Sequence, residues 1–303
     1  MKDSTAIVVS TENSQYMAWQ TMLFCSSSLT TLGKAPIVVV HSDICQLRSE
    51  FDELRLWGCD VVLAPSFRAH PLGDYPARNE LGSLSVIEAV LPPSVTHILF
   101  CEADMLIIKK PYYPDALCGE YYDYLQYGEK RIIRVANKFG LKDGSEMLDE
   151  LYSVGVPYYI PKRLIGSLAS RWLQVLDSFD EVKWIDIMYA FGIAVADCGL
   201  PIFMSSQVDL NKRNEDPCVR SIIHYCYGDD NWGKRLFIDE SPIEQFSSTI
   251  RDGIQRDSIL DVIIHHIEQV RIRRGLGNTT STDEATVGKL RNLNRSLSDQ
   301  GDS

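Results

Sequence analysis

Ile98-Leu99-Phe100-Cys101-Glu102-Ala103-Asp104-Met105-Leu106-Ile107-Ile108-Lys109-Lys110-Pro111 is the stretch on which the reading of this chain turns. An apolar run enters, two carboxylates follow one residue apart, and a second apolar run leaves. A continuous apolar run of this length suits a strand buried on both faces. In extended chain, residues two apart project from the same side, so Glu102 and Asp104 are expected together at the carboxyl end of that strand. Carboxylates in such a place are costly unless something positive joins them. A divalent cation carrying a diphosphate would serve, because hard oxygen ligands suit magnesium or manganese. A plainer arrangement would serve as well, with one carboxylate paired to Lys109 or Lys110 and the other hydrated at a turn. A short acidic motif alone does not choose between the two.

Outward from this stretch the chain alternates strands and helices. Thr5 to Val9 reads as a strand, and Ser10 to Ser14 supply turn and cap residues. Tyr16 to Leu32 reads as a helix ended by Gly33, Ile37 to Val40 as a strand, Phe51 to Trp57 as a helix ended by Gly58, and Asp60 to Leu63 as a strand. Strand–helix–strand at this spacing predicts a parallel sheet with right-handed crossovers, hence an α/β fold with a mostly parallel sheet flanked by helices. No G-x-G-x-x-G follows the first strand, which disfavours a dinucleotide-binding fold of the usual Rossmann kind. Pro65 to Ala77 reads as loop and Asn79 to Leu91 as a helix stopped by Pro92-Pro93. The tyrosine-rich 111–127 segment reads as core filling or a sugar platform, and 138–150 as a polar, mobile segment. A strand is expected at 155–160, helices at 162–179 and 182–198, a short strand at 221–225, and a helix at 256–273. Neighbouring His265 and His266 should point about 100° apart on that last helix, one inward and one outward. Composition does not break before residue 278, so 1–275 is expected to form one domain and the Asn/Ser/Thr-rich 278–303 a disordered tail.

The chain has 303 residues, 45% hydrophobic and 23% charged, which is ordinary for a globular protein. A formal net charge of −11 argues against a nucleic-acid partner, since phosphate backbones need a basic surface. No apolar run is long enough for a membrane span. The opening residues lack the apolar core of a signal peptide, and the eight cysteines are scattered without a C-x-x-C pair, so a cytoplasmic protein with reduced thiols is expected.

Four segments then acquire meaning together. Tyr16-Met17-Ala18-Trp19-Gln20 is similar to a Y-x-x-W-Q motif. Tyr75-Pro76-Ala77-Arg78-Asn79 precedes the acidic strand as an asparagine-led helix precedes an E-P-D strand end and its K-P, here Glu102, Asp104, Lys110 and Pro111. Trp184-Ile185-Asp186-Ile187-Met188-Tyr189 resembles W-x-x-E-M-Y, and Ile222-Ile223-His224-Tyr225-Cys226-Tyr227-Gly228 resembles I-I-H-Y-x-Y-G. In this order, over residues 6–236, they resemble the plant-type hydroxyproline O-arabinosyltransferases and the related peptidyl-serine O-galactosyltransferases. Residues 237–303 are outside the resemblance.

The resemblance implies a GT-A type nucleotide-sugar-binding fold, a divalent metal (Mn2+ or Mg2+) and transfer, with retention, from a UDP-sugar to a hydroxyl acceptor. The family's acceptor is a peptide hydroxyproline or serine; a glycan or small molecule is also open here. Glu102-Ala103-Asp104 would be the DXD-like motif and contact the donor, Glu102 through its ribose or a metal-bound water, and Glu102, Asp104 and His224 would be the metal ligands. His224 alone could equally be a hydrogen-bonded core histidine. Ser10 and Thr11, at the carboxyl end of the first strand, are expected to contact the donor, because open α/β sheets bind nucleotides there. Gln20, Arg78, Asn79 and Lys234 are further donor-binding candidates; helix N-termini and cations favour phosphate. Trp19 reads as a core anchor. Two positions depart from the family pattern: Ala103 replaces its proline, and Ile187 stands where the family carries Glu. Asp186, one residue earlier, is the catalytic carboxylate expected in its stead. The alternatives are a non-catalytic glycosyltransferase-like binding or scaffold protein and, against the absence of a Gly-rich phosphate loop, a sugar nucleotidyltransferase.

Overall fold

The computed structural model describes residues 1–2, 4–141, 145–229, 232–245 and 254–276. It opens with β1 (Thr5–Glu12), α1 (Gln15–Leu32), β2 (Ile37–Ser42), α2 (Ser49–Leu56) and β3 (Asp60–Pro65), the alternation the hydrophobic pattern predicts. Ser14 caps α1 by accepting the Met17 N–H at 3.2 Å, and Gly33 closes it at φ 62°, a left-handed conformation that costs glycine nothing. The expected loop that follows carries a small hairpin, β4 (Ala69–His70) with β5 (Gly73–Asp74). Then come α3 (Asn79–Val90), β6 (His97–Glu102) and β7 (Met105–Ile107).

Between here and the second half the structure departs from the sequence reading. The tyrosine-rich segment contains a strand, β8 (Leu117–Tyr121), and the next residues form α4 (Lys130–Lys138). β8 is hard to read because Gly119 interrupts it. A Cβ there would stand 2.9 Å from Val154 Cβ, so the glycine records the close passage of the neighbouring strand. The segment expected to be mobile includes α5 (Ser145–Tyr152), which leads into β9 (Val154–Pro161). α6 (Ile165–Leu176) and α7 (Asp186–Asp197) are each shorter than their apolar runs suggest. Two further strands, β10 (Ile202–Ser205) and β11 (Val208–Leu210), precede β12 (Ile222–His224), α8 (Pro242–Gln245) and α9 (Ile259–Arg273). On α9, His266 is buried and His265 is partly exposed. The tail expected at 278–303 lies outside the described residues. No helix among the described residues is long and apolar enough to cross a membrane.

The main sheet has the order β10-β8-β9-β6-β1-β2-β3. β1 pairs in parallel with β2 on one side and β6 on the other, and β2 pairs in parallel with β3. β9 is antiparallel to both β6 and β8. The chain therefore winds outward from β1 to β3 and then returns to β1's other flank. That reversal leaves a crevice at the carboxyl ends of β1 and β6, where open α/β sheets place their ligands. A second sheet, β11-β12-β7, stands beside it. The buried side chains, from Ile7 to Val270, form one contiguous hydrophobic core.

α7 approaches its neighbours closely at Gly192. A Cβ there would fall 1.9 Å from Tyr127 Oη and 2.7 Å from the Tyr152 carbonyl oxygen, while that hydroxyl itself donates to the Tyr152 carbonyl at 2.8 Å. Gly192→Ala is therefore expected to destabilise the fold by about 2 kcal/mol through overpacking, read as a lower urea midpoint at unchanged slope. An unaltered midpoint would mean that the helix shifts freely at this contact.

Candidate functional site

The crevice opens into a cavity of about 670 Å³, within the range of small-molecule sites. β1 contributes Ser10, Thr11 and Glu12, and the end of β6 contributes Glu102, Ala103 and Asp104. α3 brings Asn79 and Glu80, α7 brings Ile187 and Met188, and the late segments bring His224 and Lys234.

The two carboxylates come together by a route that differs from a single extended strand. β6 ends at Glu102, the chain turns through Ala103 and Asp104, and β7 begins at Met105. β12 then pairs antiparallel with β7, with His224 opposite Met105, and the Tyr225 N–H donates to the Asp104 carbonyl at 3.0 Å. This register sets His224 Nε2 3.1 Å from Glu102 Oε2 and 3.3 Å from Asp104 Oδ1. Neither contact is aligned as a hydrogen bond, and among the described residues neither His224 ring nitrogen has a hydrogen-bond partner. One ligand atom from each of the three residues falls within 4.8 Å of the others. Three ligand-type atoms this close together, a buried imidazole among them, fit a divalent cation well.

Balancing charge at Asp104 comes from Lys234, whose ammonium bonds Asp104 Oδ2. Burial alone would raise the Asp104 carboxyl, but Lys234 and His224 hold it well below the usual carboxylate range. Burial alone would likewise lower His224 and Lys234, and Asp104 raises both instead. Lys234 reaches this point because Trp19 anchors the segment after it. Trp19 is buried, donates to the Phe237 carbonyl at 3.3 Å and stacks on Tyr225.

Among the other expected donor-binding residues, the cavity brings in Ser10, Thr11, Gln20 and Asn79. Ser10 Oγ lies 2.9 Å from Ser83 Oγ, and Thr11 Oγ1 lies 2.9 Å from Thr21 Oγ1, so a hydroxyl partner holds each of them in place at the end of β1. Gln20 lies one turn into α1 with its amide donating to the Tyr16 carbonyl at 2.7 Å. Asn79 spans the site's wall, donating to Glu12 Oε1 at 2.9 Å and accepting from the Phe67 N–H at 2.8 Å.

Two expected residues lie elsewhere. Arg78 does not line the cavity; its guanidinium turns to Asp177 Oδ2 at 3.1 Å and to the Phe67 and Ala69 carbonyls. Asp186 does not line it either. Its carboxylate is fully buried and held by the Arg131 guanidinium, with 2.7 Å to each oxygen, and by the Lys183 N–H at 2.7 Å. The face of α7 toward the cavity is Ile187 and Met188, fixed by the Tyr75 hydroxyl, which accepts from the Ile187 N–H at 3.0 Å. The helix thus presents an apolar wall where an acid was expected, because Asp186 is needed to neutralise Arg131 behind it.

The cavity lining also includes Glu12 and Glu80, which the sequence reading did not single out. Glu12 belongs to the strand-end turn already singled out at Ser10 and Thr11, and that position could have flagged it. Glu80 had no local signal, since an acid in a helix's first turn is the commonest of surface features. The cavity mouth carries the exposed rings of Trp184 and Tyr227.

No family model matches the sequence, and no curated relative is found for it. By fold the chain is similar to the galactosyltransferase LgtC, solved with donor and acceptor sugar analogues, at TM-score 0.51 and 12% identity over 91% of this chain and 97% of that one. Weaker likenesses are to the bifunctional glycosyltransferase WbbM in its apo form (TM-score 0.49, 12% identity, 91% of this chain and 52% of that chain) and to apo mouse xyloside xylosyltransferase 1 (TM-score 0.43, 9% identity, 73% and 97%). The topology and the first of these likenesses agree: the chain has the mixed α/β fold of the GT-A glycosyltransferases, with a mostly parallel central sheet flanked by helices.

Proposed function

We propose that the chain is a metal-dependent glycosyltransferase that moves a sugar from a UDP-sugar to a hydroxyl acceptor. The observation that carries this reading is the convergence of Glu102, Asp104 and His224 at the sheet's reversal point, beside the buried ammonium of Lys234. Glu102, Asp104 and His224 would hold the cation, and the imidazole favours manganese over magnesium. Such an ion neutralises charge on a departing diphosphate. Ser10, Thr11 and Gln20 supply polar contacts for the nucleoside at the end of β1. Lys234 supplies a mobile positive charge for the phosphates once a cation takes its place on Asp104. The sequence resemblance supports retention and a peptide hydroxyl as acceptor; a glycan or small molecule fits the open, aromatic mouth as well. A retaining transfer by front-side attack needs no carboxylate at position 187.

One observation favours a second reading. The apolar Ile187–Met188 wall supplies no acid from α7, as in a protein that binds a UDP-sugar without transferring it. Calorimetry with UDP, with and without manganese, followed by a hydrolysis screen of UDP-sugars, separates the two. Metal-dependent UDP binding with slow sugar release supports the transferase. UDP binding with no release from any sugar supports the binding protein. No UDP binding removes both.

Lys234→Met tests the phosphate contact. Loss of one charge-assisted contact of about 1.5–2 kcal/mol weakens UDP binding roughly 10- to 30-fold in manganese, and uridine binding much less. Equal losses for UDP and uridine would place Lys234 away from the phosphates.

A further inference from the structure

A buried chain of hydrogen bonds runs from the core to the cavity. His41 lies on β2 and Ser83 on α3, and both side chains are buried. His41 Nδ1 stands 2.7 Å from the Pro65 carbonyl oxygen, His41 Nε2 stands 2.8 Å from Ser83 Oγ, and Ser83 Oγ stands 2.9 Å from Ser10 Oγ. Of these four residues Ser10 alone lines the cavity. Helix α3 makes room for the imidazole. A Cβ on Gly82 would fall 3.0 Å from His41 Cε1 and would collide with the Phe67 ring, which meets the imidazole edge-on at 6.0 Å between centroids. A glycine inside a helix costs about 1 kcal/mol, and burying an imidazole costs more than burying an apolar ring. Filling the core would call for neither.

The chemistry of the chain fixes its direction. A carbonyl oxygen only accepts, so His41 Nδ1 carries a proton. Burial lowers His41 from its ordinary value against the raising effect of the Pro65 and Asn79 carbonyls, so the ring is neutral at ordinary pH and its Nε2 is bare. The Ser83 hydroxyl therefore gives its single proton to Nε2. Only lone pairs are left on Ser83 Oγ to face Ser10, so Ser10 gives its own proton to Ser83. What Ser10 presents to the cavity is lone pairs alone. Such a group repels a phosphate oxygen and takes a donor. Ser10 also stands opposite Glu102 in the β1–β6 register. With a diphosphate at the cluster that contains Glu102, the neighbouring part of the nucleotide is its nucleoside, whose donors are the N3–H of uracil and the ribose hydroxyls.

We propose that His41, acting through Ser83, fixes Ser10 as a pure hydrogen-bond acceptor, so that this point of the site selects a donating group of the nucleoside. His41 and Ser83 are positioning residues. The inference rests on the UDP-sugar reading of the site. The experiment measures dissociation constants by calorimetry in manganese for UDP, CDP, 2′-deoxy-UDP and 3′-deoxy-UDP. CDP puts a lone pair where UDP has N3–H, and each deoxy analogue removes one ribose hydroxyl. The wild type is expected to bind at least one analogue about tenfold more weakly than UDP. Ser10→Ala should shrink that ratio at least about threefold, and the analogue concerned tells base from ribose. His41→Phe should shrink the same ratio, because Ser83 can then turn its proton to Ser10 and release the proton of Ser10.

A second measurement needs no variant to keep its affinity. Nitrogen-15 spectra of the histidine-labelled wild type should show His41 protonated at Nδ1 and bare at Nε2, with the Nε2 signal moving in Ser83→Ala. The opposite tautomer, or an imidazolium, would overturn the inference. Ratios unchanged in Ser10→Ala, or parallel losses for UDP and every analogue in His41→Phe, would overturn it too and leave the UDP-sugar reading intact. Absence of UDP binding by the wild type would overturn both, and is read before any variant is made.

Discussion

Asp104→Asn loses manganese-dependent UDP-sugar hydrolysis by a factor on the order of 10³, equivalent to about 4 kcal/mol of transition-state stabilisation. The substitution keeps the shape of the side chain and removes its charge. Asp104 is nearly buried and serves His224, Lys234 and the cation site together. Its amide would offer a metal one weaker oxygen and would leave the Lys234 ammonium beside a group that cannot neutralise it. The check is a hydrolysis rate at saturating manganese, set beside manganese affinity measured directly and a far-ultraviolet spectrum showing an intact fold. Both rate and metal affinity should fall. Near wild-type turnover with an intact fold would remove Asp104 from the chemistry, and the metal-dependent reading with it.

Arg131→Met is expected to destabilise the protein by about 3 kcal/mol and lower its melting temperature by roughly 6–12 °C. The cause is the state in which it leaves Asp186. That carboxylate is fully buried and receives both of its strong contacts from Arg131 and the Lys183 N–H. Removing the guanidinium strands a buried charge, which costs more than the pair contributed while intact. Asp186→Asn should cost less, because an amide can still accept the Lys183 N–H. At a temperature where both variants are folded, manganese-dependent UDP affinity should stay within about threefold of wild type, since Asp186 does not line the cavity. A stable Arg131→Met protein that had lost UDP affinity would return Asp186 to the site.

The contrast between Asp104 and Asp186 shows where sequence reading reaches. Both sit beside apolar residues in segments that resemble family motifs. Asp104 was legible because its partner Glu102 is two residues away, so a local spacing puts both in one turn. Asp186 was expected at the site and lies behind its wall, because its partner is Arg131, 55 residues earlier, on a helix the sequence did not reveal. Arg78 lies outside the cavity lining for a similar reason: its guanidinium pairs with Asp177, 99 residues away. Glu80 was invisible because its burial in the cavity wall belongs to the tertiary structure, which no stretch of sequence displays.

The order of the early strands and helices, the ends of α1 at Ser14 and Gly33, and the acidic strand end were all determined by consecutive residues, since hydrophobic period, cap and turn chemistry act within a few positions. Glu102-Ala103-Asp104 belonged to that class, and so did the parallel sheet that places it at a crevice. The third donor of the cluster, His224, was identified by resemblance, and its position depended on the pairing of β12 with β7 across more than a hundred residues. The same pairing and the Trp19 anchor brought Lys234 onto Asp104, 130 residues away. Which acids face the cavity and which neutralise the scaffold was decided there, because burial and pairing belong to neighbours in space, and these neighbours are far apart in the chain.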